Sequence, residues 1–157
     1  MTVDLSAVVR PGDGIVVGQA CAEPQALMEA LMAQPVGAQA FLGSNYSGIA
    51  RAGALGLSSY CGIGQNRALV DAGALEILPV PYSQIGGLIR SGRIRADVVF
   101  LQVSPANAAG EYSMGLAADY LVPALDACRA IVAEVNDQVP WTYSERLLRA
   151  DDFDLLV

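Results

Sequence analysis

Ala96-Asp-Val-Val-Phe-Leu-Gln-Val-Ser-Pro105 is the stretch on which the fold turns. Ala96–Val103 is a nearly continuous apolar run, interrupted at Asp97 and Gln102 and stopped by Ser104-Pro105. A short, valine-rich run of this kind predicts a strand buried on both faces. Such strands belong to parallel sheets covered by helices on either side. Outward from it the same alternation repeats in both directions. Strands are predicted over Gly14–Gly18, Ala38–Leu42, Leu55–Tyr60 and Leu75–Val80 before it, and over Ala130–Val135 after it. Helices are predicted from Glu23-Pro24 to about Ala33, over Gln65–Ala72, over Pro81–Arg90 and over Ala117–Arg129. Pro24 stands at a first helical turn, where a missing N–H costs nothing, while Gly86 and Gly87 weaken the third helix. The expected fold class is therefore α/β: an open, mostly parallel sheet with helices on both faces.

In such sheets ligands sit at the carboxyl ends of the strands. The residues predicted there are small, polar or glycine: Gly18-Gln19, Gly43-Ser44-Asn45, Tyr60-Cys61-Gly62, Gln102-Val-Ser-Pro105 and Glu134-Val-Asn136. Neither Gly12-Asp-Gly14 nor Gly62-Ile-Gly64 is a dinucleotide fingerprint, because no G-x-G-x-x-G follows a strand, and no P-loop is present. The last residues, Phe153–Val157, form one more apolar run, expected to lie near a domain boundary.

Composition narrows the chemistry. The chain has 157 residues, 54% of them hydrophobic and 16% charged, which is enough for one domain with a sizeable core. Its net charge is −7, and all nine basic residues are arginine, so a nucleic-acid partner is not expected. Histidine is absent, which removes Ser-His-Asp and Cys-His catalysis and histidine metal sites from this chain. Cys21, Cys61 and Cys128 are too far apart for a zinc motif and are read as reduced, mostly buried thiols. No metal is expected. With no apolar run long enough for a membrane helix, and no leader pattern at the start, a cytoplasmic protein of GC-rich bacterial composition is expected. The Arg90, Arg93 and Arg95 cluster is read as a solvated face in preference to a phosphate contact.

Several segments, taken together and in order, carry a resemblance. Ala96-Asp-Val-Val-Phe-Leu-Gln-Val-Ser-Pro105, Gly110-Glu-Tyr-Ser-Met-Gly115 and Asp119-Tyr120 are followed by Ala133-Glu-Val-Asn136 with Pro140 and Thr142. Upstream stand Pro11-Gly-Asp13, Gly18 and Glu23-Pro24-Gln25, then Ser58-Ser-Tyr-Cys-Gly62 with Arg67 and Asp71-Ala-Gly73, then Ser83-Gln84-Ile85 with Leu88. This series resembles the acetyl-CoA hydrolase/transferase family, the family-I CoA-transferases, in their amino-terminal domain only. The family's histidine-bearing H-G-Y motif is here Ala109-Gly-Glu111.

The resemblance implies a CoA-transferase fold over residues 1–157 as a single domain, equivalent to one half of a two-domain enzyme. It implies that the nucleophilic glutamate belongs to the other, carboxyl-terminal half, so no catalytic residue is assigned here and neither Glu23 nor Glu111 matches it. It also implies a CoA thioester as substrate, small acyl-CoA and carboxylate ligands, and a hetero-oligomer with that half. Residues expected to bind substrate are Gly43, Ser44, Asn45, Tyr60, Cys61, Gly62, Gln102, Glu134 and Asn136. Backbone N–H groups in Gly43–Gly48 and Gly62–Gly64 are candidate donors to a carboxylate or thioester oxygen. Gln102 is read either as touching substrate or as tying down its loop, and Glu134 and Asn136 either as pocket residues or as supports for the Pro140 segment. The rival readings are a binding or scaffold protein that kept the fold without catalysis, and an inert fragment of a one-chain enzyme.

Overall fold

The computed structural model describes residues 3–34, 36–53 and 55–157. Seven strands form one sheet, all parallel: β1 (Gly14–Val17), β2 (Gln39–Leu42), β3 (Gly56–Ser59), β4 (Glu76–Ile77), β5 (Val98–Val103), β7 (Ala130–Val135) and β9 (Leu155–Leu156). Their order across the sheet is β4-β3-β2-β1-β5-β7-β9. The chain winds one way from β1 and then returns to wind the other way, so a topological switch lies between β1 and β5.

Side-chain alternation sorts the core into two layers. Ile15, Val17, Ala40, Leu42, Val98, Phe100 and Val132 face one side, under α1 (Gln25–Ala33) and α2 (Asn66–Asp71). Val16, Phe41, Val99, Leu101 and Ala133 face the other, under α3 (Ile85–Arg90) and α4 (Leu121–Ala127). All six residues of β5 are buried, as the continuous run predicts. At the amino ends, Arg129 pairs with Asp13 at 2.7 Å, and Asp97 accepts the Gly14 N–H at 2.7 Å. These two contacts fix β1, β5 and β7 in register.

Several predicted boundaries shift for local reasons. The helix expected over Ala117–Arg129 begins only at Leu121, because Asp119 takes a left-handed conformation (φ 46°) that no helix accommodates. The strand expected over Leu75–Val80 shrinks to Glu76–Ile77, with Pro79 and Pro81 following it. The helix expected from Pro81 opens as a single 3-10 turn, Tyr82–Gln84, before α3. Gly86, which looked like a weakness in it, lets α3 approach α4: a Cβ there would sit 3.3 Å from Pro123 Cγ. The terminal apolar run adds β9 beside β7, with the Val157 N–H bonded to Ala133 O at 2.9 Å. A small antiparallel pair, β6 (Glu111–Tyr112) with β8 (Leu148–Arg149), was not predicted.

Candidate functional site

The switch places the exits of β1, β2, β3, β5 and β7 around one crevice, and the residues there fall into two groups. The first centres on Gln19, just past β1, which is buried. Its Oε1 accepts from the Ser44 N–H (2.9 Å) and the Tyr60 hydroxyl (3.0 Å). Its Nε2 donates to Asp119 Oδ2 (2.8 Å) and to the Tyr82 hydroxyl (3.4 Å). One amide thus joins the loops after β2 and β3, the turn before α3 and the turn before α4. Tyr120 adds a bond from its hydroxyl to Val17 O (2.7 Å), and its ring meets Phe41 edge-on at 5.5 Å. Gly43 must be glycine here, because a Cβ would overlap Gln19 and the Tyr120 hydroxyl.

Three phenols in this cluster are held neutral. Burial, together with the Cys61 thiol and the Asp119 carboxylate, pushes the Tyr60 pKa up to about 12. Burial and Asp119 raise Tyr82, and burial, with the neighbouring Tyr60, raises Tyr120. Ala20 (φ 52°) and Asp119 are the two non-glycine residues with left-handed backbone among those described, and both adjoin this cluster. Backbone held in that region is maintained only where the surroundings dictate it.

Glu23, at the opening of α1, is also buried and serves the neighbouring loop. Its carboxylate accepts from the backbone N–H groups of Tyr46 (3.3 Å) and Ser47 (3.1 Å) and from the Ser47 hydroxyl (2.6 Å). The Gly48 N–H is taken by Asn45 Oδ1 at 3.3 Å. The donors that Gly43–Gly48 was expected to offer an anion are therefore largely engaged within the protein, and that expectation is corrected. The loop after β3 differs: no acceptor among the described residues takes the N–H of Gly62, Ile63 or Gly64. Ser44 Oγ and Asn45 Nδ2 are buried with no hydrogen-bond partner among the described residues.

The second group lies past β5 and β7. Glu134 Oε2 accepts the Ala26 N–H at 2.7 Å and, more weakly, that of Leu27, so this carboxylate caps α1. Gln102 Nε2 points to Glu134 Oε1 (3.3 Å) and Glu23 O (3.5 Å). Asn136 Oδ1 accepts the Gln138 N–H at 2.9 Å and shapes the turn toward Pro140. Between these residues opens a cavity of about 210 Å³, lined by Gln102, Asn136 and Gln138 with Cys21, Ala22, Met114, Leu116, Val139 and Pro140. Ser113, fully buried, pins the loop that carries Met114 by donating to Thr142 O (2.8 Å) and accepting the Gly115 N–H (3.0 Å).

The nine expected residues thus divide. Gly43, Ser44, Asn45, Tyr60 and Cys61 gather around the Gln19 cluster, with Gly62 in the adjoining open loop. Gln102 and Asn136 line the cavity, and Glu134 stands behind it as a helix cap. Gln19, Asp119 and Tyr82 were not among the expected site residues; Gln19 was marked only by its position after a strand, and Asp119 only as part of the Asp119-Tyr120 pair that carries the resemblance. The cysteines are less buried than expected. Cys21 is exposed, because it rides on the one-turn 3-10 helix Ala20–Ala22 at the cavity mouth, while Cys61 and Cys128 are half-buried. Arg95 of the arginine cluster pairs with Asp97 at 2.6 Å, at the amino ends of the strands and away from the crevice.

Comparison with known proteins places this geometry. No family model matches the chain. It is 30% identical over 94 residues to the 4-hydroxybutyrate coenzyme A transferase of Clostridium kluyveri, a match covering 60% of this chain and 22% of that protein. It is 32% identical over 79 residues to the succinyl-CoA:acetate/propanoyl-CoA:succinate CoA transferase of Fasciola hepatica, covering 50% of this chain and 16% of that protein. The matches thus span less than a quarter of each curated relative. Among solved structures, RipA from Yersinia pestis superposes with a TM-score of 0.86 at 21% identity, over 96% of this chain and 39% of that one. The 4-hydroxybutyrate CoA-transferase of Porphyromonas gingivalis gives 0.70 at 23% identity, over 98% and 36%. A chain of the decarboxylase AibA/AibB, in a cysteine-to-serine variant, gives 0.59 at 15% identity, over 96% of this chain and 78% of that one. In sequence and in fold the chain is similar to the amino-terminal domain of CoA-transferases.

Proposed function

We propose that this chain, a CoA-transferase amino-terminal domain by similarity and fold, is one half of a CoA-transferase or acyl-CoA hydrolase whose carboxyl-terminal half supplies the nucleophilic glutamate. The observation that carries this reading is the sequence match to two CoA-transferases, made by a chain whose crevice lies at the switch of a parallel sheet. Residues 1–157 then act as a single domain. The match to most of one AibA/AibB chain favours a separately encoded subunit, since a chain of about this size stands as an independent polypeptide there.

In this reading the partner's glutamate carboxylate attacks the thioester carbonyl of an acyl-CoA. The C–S bond breaks, CoA leaves as thiolate, and an acyl-glutamyl anhydride remains. Attack of the thiolate on the glutamyl carbonyl releases the first carboxylate and leaves a glutamyl-CoA thioester. A second carboxylate takes the CoA by the reverse steps, or water hydrolyses the thioester. The present chain contributes walls and fixed dipoles: the neutral Gln19–Tyr60–Tyr82 cluster on one side and the Gln102–Asn136 cavity on the other, with open N–H groups at Gly62–Gly64. Gly43, Ser44, Asn45, Tyr60, Cys61, Gly62, Gln102 and Asn136 are the substrate-facing candidates, and Glu134 supports them. No helix among the described residues is long and apolar enough to cross a membrane.

The test is co-expression with a carboxyl-terminal CoA-transferase half from the neighbouring reading frame, size exclusion, and an assay of acyl exchange between acyl-CoA and free carboxylates. A stable complex that exchanges or hydrolyses acyl-CoA, where neither chain alone does, is expected. A stable complex that binds acyl-CoA without turnover would favour the scaffold reading.

A further inference from the structure

We propose that a cleft beneath the turn from α3 to β5, opening at the amino ends of the strands, binds a free aliphatic α-amino acid. Arg93 takes its carboxylate and Glu76 its ammonium. This site is separate from the crevice and independent of the CoA-transferase reading. Its floor is the face of β2, β3 and β4 that looks toward α3 and α4. Phe41, Ser58 and Glu76 are paired across these three strands, and paired residues of parallel strands project to the same side. Phe41 is buried in the core there, but Ser58 is only half-buried and Glu76 is exposed. Packing of α4 on the sheet falls on β1 and β5, which leaves this end of the face open. Over it arches the turn, where Gly92 is left-handed (φ 73°) and Leu88 O accepts the N–H groups of Arg93 (2.9 Å) and Ile94 (3.1 Å). Ile94 is thereby buried, and Arg93 forms part of the wall. Between floor and turn opens a cavity of about 310 Å³. An adjoining one of about 400 Å³ shares Leu78, Arg93 and Ile94 with it.

The charges of the cleft select the ligand. Arg95 is engaged by Asp97 Oδ2 (2.6 Å) and Gly12 O (2.7 Å). Arg93 and Glu76 line the same cavity, yet neither has an ion-pair partner among the described residues. A direct pair between two such exposed side chains would gain little. A molecule carrying a carboxylate and an ammonium on one carbon meets both at once, through charge-assisted hydrogen bonds. Ser58, beside Glu76 in register, adds a hydroxyl that can accept from the same ammonium. From Arg93 the second cavity continues among Leu78, Pro79, Val80, Leu88 and Ile94, all apolar. A branched aliphatic side chain fits this room, since a cavity of about 150 Å³ already admits benzene. A dicarboxylate or a phosphate would face Glu76 with a single free cation to offset it, and a simple amine would leave Arg93 unmet.

The test is titration of the purified chain with L-leucine, followed by calorimetry and by backbone amide shifts in NMR. Saturable binding is expected, with shifts at Ser58, Glu76, Arg93 and Ile94 and none at Gln19 or Gln102. Leucinamide lacks the carboxylate and 4-methylpentanoate lacks the ammonium. Each should bind at least about tenfold more weakly than leucine, the loss of one charge-assisted hydrogen bond. Glycine, without the side chain, should be weaker by about tenfold or more. In Arg93→Gln the advantage of leucine over leucinamide disappears while its advantage over 4-methylpentanoate persists. Glu76→Gln does the reverse. Both side chains are exposed, so the fold should hold, and the wild-type series decides the matter even where a variant fails to fold. Absence of saturable leucine binding overturns the proposal, as does equal binding of leucine and any of the three analogues. Shifts confined to the crevice overturn it too, by placing the amino acid there. None of these outcomes involves acyl-CoA, so each leaves the CoA-transferase reading intact, and failure of the acyl-exchange assay leaves this site standing.

Discussion

On the two sides of β1, the same end of the sheet is built to opposite plans. Toward β2 and β3 the Gln19 cluster is closed: both ends of the amide are bonded, to partners from four different segments, and the phenols around it are held neutral. Toward β5 and β7 the Gln102 amide is bonded at one end only, and its other end lines a cavity with apolar walls. Two glutamines at corresponding strand ends thus do different work, one locking a frame and the other leaving a contact to be made. The difference follows from their neighbours. Gln19 is met by donors and acceptors, whereas Gln102 is met only by acceptors.

If the closed side is a frame, breaking it should cost the most. Gln19→Leu leaves the Ser44 N–H and Asp119 without their partner and takes the acceptor from Tyr60. At about 1–3 kcal/mol for each stranded buried group, a loss of at least 3 kcal/mol is expected. For a chain of this size that lowers Tm by about 10 °C, read by calorimetry or circular dichroism. A drop under about 2 °C would show that the four segments hold together without the amide. On the open side, Glu134→Ala removes one cap from α1 and one acceptor from Gln102, for about 1–2 kcal/mol. Glu134→Gln should lose less, because a neutral oxygen can still accept from Ala26.

The phenols sharpen the contrast through pH. Tyr60 titrates at about 12 in the fold instead of the ordinary 10.0, with Tyr82 and Tyr120 displaced in the same direction. Below about pH 10 these groups are protonated whether the chain is folded or not, and their contribution is complete. Between about 10 and 12 the unfolded chain loses the Tyr60 proton while the folded chain keeps it, so stability falls as pH rises. The urea midpoint should decline across this interval, and Tyr60→Phe should decline less steeply. A midpoint unchanged up to about pH 11 would mean that the cluster is wetter than the geometry indicates.

The degree to which all this could be read from the chain varies with the range of the interactions. β5 and β7 were legible because a continuous apolar run in a parallel sheet has one stable environment, buried on both faces. The left-handed Asp119 was not, since its carboxylate is held by Gln19, a hundred residues earlier, and nothing in the adjacent sequence marks that partner. The free end of Gln102 was equally hidden: which way an amide points depends on Glu134 in another strand. The donors of Gly43–Gly48 were overcounted because glycine and serine mark a loop without saying that a glutamate folds back to occupy its N–H groups. Glu23-Pro24 was read for its helix start, and the carboxylate's second task left no local pattern.

The smallest effect expected is also the most diagnostic of the open side. Leu116 is 71% exposed, yet it lines the cavity. A frame residue so exposed would be unusual, while a lip over a ligand chain has to face solvent until the ligand arrives. Leu116→Ala should therefore change stability by no more than about 0.5 kcal/mol, since little apolar area is covered in the free chain. Cys21 is exposed and shares the cavity lining with Leu116, so protection of its thiol from N-ethylmaleimide by a butyryl pantetheine thioester should nonetheless weaken by about three- to fivefold, the contribution of one or two methylene-sized contacts. Unchanged protection would place the acyl chain elsewhere, and a marked fall in Tm would show that Leu116 belongs to the packing of the protein after all.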